Sequence, residues 1–499
     1  KCLNDLASNT ANFTPNIIVD DLGFPGVAMF TNGGFATAVQ NFAKAHPNIQ
    51  LVSAAGNDAR QFWSGTWKPT PVNVTINGIP YTQAQNFGSS SSPNVNMSFR
   101  VAAGDTITYL MQWDDTWVAS NAITKTTPND LNDYDVFLTD TQGNILACNQ
   151  GANFGSSASP PSPTSCPYTN TTTQPTHSPG PQPVQGNTWT NNGKSTVTVY
   201  LQIYYQAGSP GQNLKVLVSS NKYQLNLLPD MPAGSIYGQS ALKYPYELTV
   251  GAISAAKATA KTYQIEPYSS QGPILFSQPS TGKQTYIKPD FVGVDCVKVT
   301  GVGGFANPFC GTSAAAPHIA ALLALLQSGY PSLDDYKMLK DGATTISATV
   351  PNGVYGYGLP NVYQSALIDS PKPIAHITTP VANKSITVGG SVSFKSSCSA
   401  NGSPGTISPS WDFGTGSGIA ASTSLSPKVT YTKTGTFTAT LTCTNLIFDS
   451  TGAASRVITV ARAPSSGGGG AIGIWMLLLL AGLALTQPVG NGERPAIKN

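Results

Sequence analysis

The chain has 499 residues, 26 of them basic and 23 acidic, for a net charge of +3 and only 10% charged residues. Soluble cytoplasmic domains carry roughly 25%, and no Arg falls between Arg100 and Arg456, so a nucleic-acid surface built from clustered cations is excluded. With 49 Gly, 38 Pro and 40% hydrophobic residues, the composition favours strands and turns around real cores and argues against helical bundles and wholesale disorder.

Residue 1 is Lys, and the Thr/Asn/Ser/Gly-rich texture that follows is that of an exported protein, so the expectation is that a start with its signal peptide precedes this chain. Residues 16–23, NIIVDDLG, predict a buried strand ending in two acids and a Gly. A helix is predicted over 33–45, with Phe35, Ala38, Val39, Phe42 and Ala43 on one face. NIQLVSAAGND then supplies a second apolar strand ending in small and polar residues. Strand, helix, strand is a βαβ unit, which places the early chain in a parallel sheet with ligands at the carboxyl ends of its strands. Asp20, Asp21, Asn57 and Asp58 fall at two such ends.

From about 95 to 220 the runs NVNMSFRVAAG, TITYLMQWDD, DYDVFLTD, STVTVYLQIYY and NLKVLVSS predict an antiparallel sandwich, interrupted by a low-complexity stretch at 151–194. The α/β texture returns with YELTVGAIS, and residues 313–329 predict a helix apolar enough to be buried from its start. PKP at 371–373 reads as a linker, and a second all-β module follows to about 460. The expected domains are 1–94 and 222–370 for the core, 95–221 for the inserted sandwich, 374–461 for the last β module and 462–499 for a tail. That tail is SSGGGG, 15 uncharged residues at 471–485, and a short end. A comfortable membrane span needs ~20 residues. Seven Cys leave one unpaired; the other six offer Cys148 with Cys166, Cys296 with Cys310 and Cys398 with Cys443, with no zinc-like spacing.

The strongest chemical signal is Gly311-Thr312-Ser313 at the start of the buried helix, with Pro317 four residues on. Ser in a first helical turn sits beside unpaired N–H groups that favour a developing negative charge. Such a Ser is also a common helix cap. The block Gly311 to His318 resembles the nucleophile motif of the subtilisin-like serine proteases, the subtilase family. Four further blocks fall in that family's order: Ile17 to Gly23, the rim of the substrate cleft; Ala54-Ala55-Gly56-Asn57, the oxyanion segment; Tyr268 to Pro273, a FSNxG-type loop; and Lys288-Pro289-Asp290, a KPD segment. The resemblance covers about 10–95 and 222–370. It implies that Ser313 is the nucleophile, that the Asn57 amide donates to the oxyanion, and that peptide bonds are cleaved through an acyl-enzyme.

The long stretch between Asn57 and Ser313 departs from compact members of the family. It resembles relatives in which a domain with a DLD-type motif is inserted, here Asp133-Tyr134-Asp135. A second departure is the base. None of His46, His177, His318 and His376 matches the family's His-Gly-Thr-His segment, so the base and its orienting Asp are expected upstream of residue 1. Asp21 stands where subtilisins have a Ser and is a candidate active-site acid, as in the sedolisin-like enzymes, or else a surface or capping acid. Cys310 as a nucleophile finds no adjacent His. Trp411-Asp412-Phe413-Gly414, Tyr431 and Ala439 to Thr442 resemble the PKD-type domain, and the tail resembles the GlyGly-CTERM sorting signal, with a plain single-span anchor as the other reading.

The expectation is therefore an α/β fold: a subtilisin-like parallel sheet core, incomplete at its N-terminus, interrupted by an antiparallel β-sandwich and followed by an Ig-like, PKD-like sandwich. The expected protein is a serine endopeptidase with Ser313, Asn57 and Asp21 at its site, or a surface binding protein that keeps the fold without activity. No cofactor is required, and Asp133 and Asp135 leave room for structural calcium. The expected partners are protein or peptide substrates, with no nucleic acid. The chain is expected to act as a monomer, secreted or held at a bacterial envelope, with its C-terminal segment meeting a membrane.

Overall fold

The computed structural model describes residues 2–7, 14–24, 26–76, 78–115, 132–149, 183–208, 212–220, 234–278 and 282–463. The chain divides into two compact units, Lys1–Ser370 and Pro371–Asn499.

The first unit begins with α1 (Cys2–Ala7), β1 (Ile17–Asp20), α2 (Gly34–Ala45) and β2 (Gln50–Ala54). Helix α2 buries Ala36, Val39, Phe42 and Ala43; Val39, Phe42 and Ala43 are on the expected face, whereas Phe35 and Ala38 are exposed, so the buried stripe is rotated toward Ala36. The chain then enters two antiparallel sheets: β3 (Phe62–Thr66), β4 (Pro69–Ile76), β5 (Ile79–Gln85), β6 (Met97–Val101), β7 (Thr106–Trp113), β8 (Asp133–Asp140), β9 (Ile145–Asn149), β10 (Val184–Thr190), β11 (Val197–Ala207) and β12 (Asn213–Ser220). One sheet runs β10-β7-β12-β3; the other runs β4-β5-β11-β8-β9, with β6 also on β11. Between them lies an apolar core that includes Trp63, Tyr109, Trp113, Tyr134 and Leu201. Trp113 and Trp67 both meet the Tyr134 ring edge-on, at 5.3 and 5.1 Å. The strands β3–β5, read from sequence with the core, belong to these sheets. Their Thr/Asn/Gln-rich alternation is that of the sandwich, and no change of texture marks the crossing.

The core resumes with β13 (Leu248–Ser254), α3 (Ala255–Thr259), a hairpin of β14 (Ile274–Gln278) and β15 (Gly282–Tyr286), then β16 (Phe291–Asp295), α4 (Thr312–Gly329), α5 (Asp335–Asp341) and α6 (Val362–Asp369). The central sheet is parallel in the order β1-β2-β13-β16, with Ile17 opposite Gln50, Leu248 opposite Val52 and Val250 opposite Phe291. Parallel pairing gathers all four carboxyl ends at one edge, where Asp20, Ala54, Ser254 and Asp295 stand. Helix α4 packs across all four strands. The helix is buried from its start, at Thr312 and Ala314 to Ala316, and its stripe of Ile319, Leu323 and Leu326 continues that burial, while Leu325 on the other face is 61% exposed. Gly293 permits the close approach of sheet and helix: a Cβ there would lie 2.5 Å from the Ala315 carbonyl oxygen.

The second unit holds β17 (Ile374–Thr379), β18 (Lys384–Thr387), β19 (Ser391–Ser393), β20 (Lys395–Ser399), β21 (Ile407–Asp412), β22 (Lys428–Thr430), β23 (Gly435–Asn445) and β24 (Thr451–Ala461). Its largest sheet runs β18-β24-β23-β21. Trp411 and Phe413 stack on its interior, and the Tyr431 hydroxyl donates to the Phe413 carbonyl at 3.2 Å. The disulfides Cys296–Cys310 and Cys398–Cys443 are formed. Cys148 is also disulfide-bonded; its expected partner, Cys166, lies outside the described residues.

The expectation of a transmembrane helix is corrected: no helix among the described residues is long and apolar enough to cross a membrane. The run 471–485 and the rest of the expected sorting tail from 464 onward lie outside the described residues.

Candidate active site

Asn57 follows β2 and Ser313 sits in the first turn of α4, so both arrive at the carboxyl edge of the parallel sheet. Gly311 caps α4 at φ +117°, a backbone state open to glycine, and turns the chain sharply into the helix. The next residue locks the two segments together. Thr312 donates from its backbone N–H to Asn57 Oδ1 at 3.0 Å and from its hydroxyl to the same oxygen at 3.1 Å. Its hydroxyl also accepts from the Gly56 N–H at 3.1 Å.

With Oδ1 held by two donors, the Asn57 NH₂ is turned toward Gly311. A Cβ at Gly311 would lie 3.2 Å from Asn57 Nδ2 and 3.7 Å from Ser313 N. The missing side chain of Gly311 thus leaves a small space bordered by two N–H donors. Neither the N–H nor the hydroxyl of Ser313 is hydrogen-bonded among the described residues. Pro317 has no N–H to return to the Ser313 carbonyl, so the Gly-Thr-Ser turn is free of the usual i→i−4 bond at that point.

Two buried groups hold this turn from beneath. Asp295, fully buried at the end of β16, accepts the Gly311 N–H at 2.9 Å and the Tyr268 hydroxyl on the same oxygen. Burial first, and then the hydrogen bond and charge of Asp295, push the Tyr268 phenol far above its ordinary range. Burial and the nearby Asp295 also raise the Glu266 carboxyl. Ligand atoms of Glu266, Asp295 and Cys296 lie within 4.8 Å of one another, but the Cys296 sulfur is tied to Cys310, which leaves two carboxylates and no third metal donor. The loop Tyr268-Ser269-Ser270 braces the Asn57 turn. Its Ser270 hydroxyl accepts the Asp58 N–H at 3.1 Å, and the Ser270 N–H donates to the Gly56 carbonyl at 2.9 Å. Asp58 itself is raised by burial, opposed by the Tyr237 hydroxyl that donates to it at 2.9 Å.

Lys288-Pro289-Asp290 lies at the other end of β16. The buried Lys288 ammonium donates to Asp290 at 2.5 Å, the Glu247 carbonyl at 2.9 Å and Thr249 Oγ1 at 3.0 Å, tying the starts of β13 and β16 together. Desolvation there raises the fully buried Glu247 well above an ordinary carboxyl. This segment builds the sheet and makes no hydrogen bond to the Gly-Thr-Ser turn among the described residues.

Of the three predicted site residues, Asn57 and Ser313 are brought together through Thr312, whereas Asp21 lies exposed past the end of β1, with no hydrogen bond to either among the described residues. The described histidines are elsewhere. His318 donates from Nδ1 to the Ala314 carbonyl of its own helix at 2.7 Å, the His46 ring lies tilted against Phe42 at the end of α2, and His376 lies in β17; His177 lies outside the described residues. Asp133 and Asp135 are buried in β8, where Asp135 accepts the Tyr81 hydroxyl, and among the described residues neither belongs to a group of three metal donors. Thr312 and Asp295 were not singled out from sequence. Thr312 sits inside the motif, and the end of a parallel strand next to a glycine turn is the signal that points to Asp295.

Residues 28–358 match the subtilase family, and residues 371–462 match the PKD domain. No curated protein matches the chain. Among solved structures, the PKD1 domain of Vibrio anguillarum Epp is 27% identical, covering 19% of this chain and 100% of that one at a TM-score of 0.15. The PKD1 domain from the Vibrio cholerae metalloprotease PrtV is 28% identical over 18% of this chain and 99% of its own, at 0.14. A lanthipeptide protease is 22% identical over 26% of this chain and 43% of its own, at 0.17. Subtilase and PKD domains are typical of secreted and surface proteins of bacteria. An Asn after one parallel strand, a Gly-Thr-Ser turn opening a buried helix, and a family match over well over half of its length converge: the chain belongs to the subtilase family of serine-type proteases and carries a PKD domain.

Proposed function

We propose that the protein is a serine endopeptidase that cleaves peptide bonds through an acyl-enzyme on Ser313. The observation that carries this reading is the Thr312–Asn57 lock, which turns the Asn57 amide toward the space beside Gly311. Ser313 Oγ attacks the scissile carbonyl, and its carbonyl oxygen, as it becomes an oxyanion, takes hydrogen bonds from Asn57 Nδ2 and the Ser313 N–H, reinforced by the α4 dipole. The base that takes the Ser313 proton and passes it to the leaving amine, and the acid that orients it, come in this reading from chain outside residues 1–499. Of the histidines of the first unit that the structure describes, His318 is bonded to its own helix and His46 packs on Phe42, which supports that. Asp21 is the acid at the mouth of the cleft, and the enzyme works outside the cell or at its surface.

Hydrolysis of denatured casein tests the reading. The 499-residue chain alone is expected to be inactive. The protein with its upstream segment is expected to cleave casein and to lose that activity on Ser313→Ala. An upstream-extended protein that cleaves nothing, while still folding, would favour a binding protein that keeps the protease fold. Ser313-dependent activity in the short chain would place the base within it.

A further inference from the structure

The inserted sandwich grips the core at one place that the proteolytic chemistry does not use. Residues 21–24 and 26–30 follow the carboxyl end of β1, the strand paired in parallel with β2, whose own carboxyl end leads to Asn57. Asp21, Leu22 and Gly23 are exposed there, while Ala28, Met29 and Phe30 are buried. The buried end is held by two side chains of the insert. Gln112 of β7 accepts the Met29 N–H at 2.8 Å and donates to the Val27 carbonyl at 2.8 Å. Lys215 of β12 donates to the Met29 carbonyl at 2.7 Å, and its ammonium lies 4.6 Å from the centre of the Phe30 ring.

Gln112 and Lys215 are direct cross-strand neighbours, each 1% exposed. Both stand on the face of the sheet turned away from the sandwich interior, which takes Met111, Trp113, Leu214 and Val216, and burying an amide and an amine there is costly unless their hydrogen bonds are met. Here three of those bonds are met by the backbone of residues 27–29. Met29 and Phe30 then pack with Phe62 and Leu217 of the insert in one apolar cluster, joined by Tyr237 and Leu275 of the core. The other end of the same segment is held from the core side: Gln239 donates to Asp20 Oδ2 at 2.8 Å and to the Leu22 carbonyl at 2.7 Å. Between the two grips the Val27 N–H closes a turn onto the Phe24 carbonyl at 3.0 Å.

We propose that the insert is a positioning element of the substrate cleft: the Gln112–Lys215 pair fixes residues 27–30 and, through the Phe24–Val27 turn, sets the exposed rim at Asp21–Phe24. The rim carries Leu22, 65% exposed, and the Phe24 ring against that of Phe35 at 4.4 Å, so the substrate side chain it selects is apolar. This inference rests on the protease reading only for the word substrate. The clamp itself is a property of the fold.

Hydrogen exchange followed by mass spectrometry on the 499-residue protein tests the clamp without any activity. In Gln112→Leu and Lys215→Met, peptides covering 20–30 are expected to exchange at least tenfold faster, including those ending before Val27, while β7 and β12 keep their protection. Gln112→Glu keeps the acceptor for Met29 and loses only the donor to Val27, so it guards against a variant that does not fold; its increase is expected to be smaller and to lie in the same peptides. Unchanged exchange at 20–24 in every folded variant would overturn the proposal, as would loss of protection spread evenly through β7 and β12. In the upstream-extended enzyme the same variants are expected to raise KM about tenfold for a peptide with an apolar side chain at the rim and to leave kcat nearly unchanged. A fall in kcat at constant KM would also overturn it. If the wild type proves inactive, the protease reading fails and the exchange result still decides the clamp.

Discussion

In the proposed mechanism, Asn57 serves the oxyanion because Thr312 occupies its carbonyl oxygen. Without those two bonds the amide is free to rotate, and its NH₂ group no longer faces the space beside Gly311. Asn57→Ala in the upstream-extended enzyme is expected to lower kcat by ~10²–10³ with little change in KM, because the donor acts on charge that exists only in the transition state. Steady-state kinetics checks it, and an unchanged kcat would remove Asn57 from the oxyanion site. Lys215 makes a second prediction at this scale. Burial, opposed by the charge of Asp114, pulls its folded-state pKa down to about 7 from 10.5. Between those values the unfolded chain holds more protons, so stability rises with pH and is lost as pH falls toward 7, by at most ~1.4 kcal/mol per pH unit. Lys215→Met removes that slope. Urea midpoints of the two proteins at pH 7.5 and 9.5 are expected to show a smaller rise for the variant; parallel slopes would mean that Lys215 stays charged when buried.

At the scale of elements, the spacing between β16 and α4 decides where Ser313 stands. Gly293→Ala would drive a methyl to 2.5 Å from the Ala315 carbonyl oxygen. The helix must then lift away from the sheet, at a cost of about 1–3 kcal/mol. A lower melting temperature together with a lower kcat in the upstream-extended enzyme is the expected outcome. What could be read from sequence follows from periodicity. The β1-α2-β2 unit was legible because its apolar residues repeat at strand and helix spacing, whereas the Gly-Thr-Ser turn, alone an ordinary helix start, stood out through its resemblance to the subtilase motif and the four further blocks in that family's order. The start of the insert at Phe62 was not legible, since the Thr/Asn/Gln alternation of β3–β5 resembles that of the loops on either side. Asp295, Gln112 and Lys215 act through partners far away in sequence, which no local pattern encodes.

For the whole molecule, division into units Lys1–Ser370 and Pro371–Asn499 predicts separable unfolding. The second unit owns its core, with Trp411 fully buried among Phe394, Phe413 and Leu441, and it is closed by the Cys398–Cys443 disulfide. Trp411→Ala is expected to cost that unit about 3–5 kcal/mol and to leave the first unit's transition in place in calorimetry. A common shift of both transitions would mean that the units unfold as one. The first unit, by contrast, is built from two interlocked architectures. The sandwich reaches the core through Gln112, Lys215 and the Met29–Phe30 cluster, so deleting the insert is not a neutral excision.

The central claim is that Ser313 is the nucleophile. The direct measurement is to treat the upstream-extended protein with a fluorophosphonate, digest it and locate the adduct by mass spectrometry, with Ser313→Ala and Asn57→Ala in parallel. A single adduct on Ser313, slowed in Asn57→Ala and absent in Ser313→Ala, is the predicted result. Adduct formation at another residue, or casein hydrolysis that survives Ser313→Ala, would contradict it.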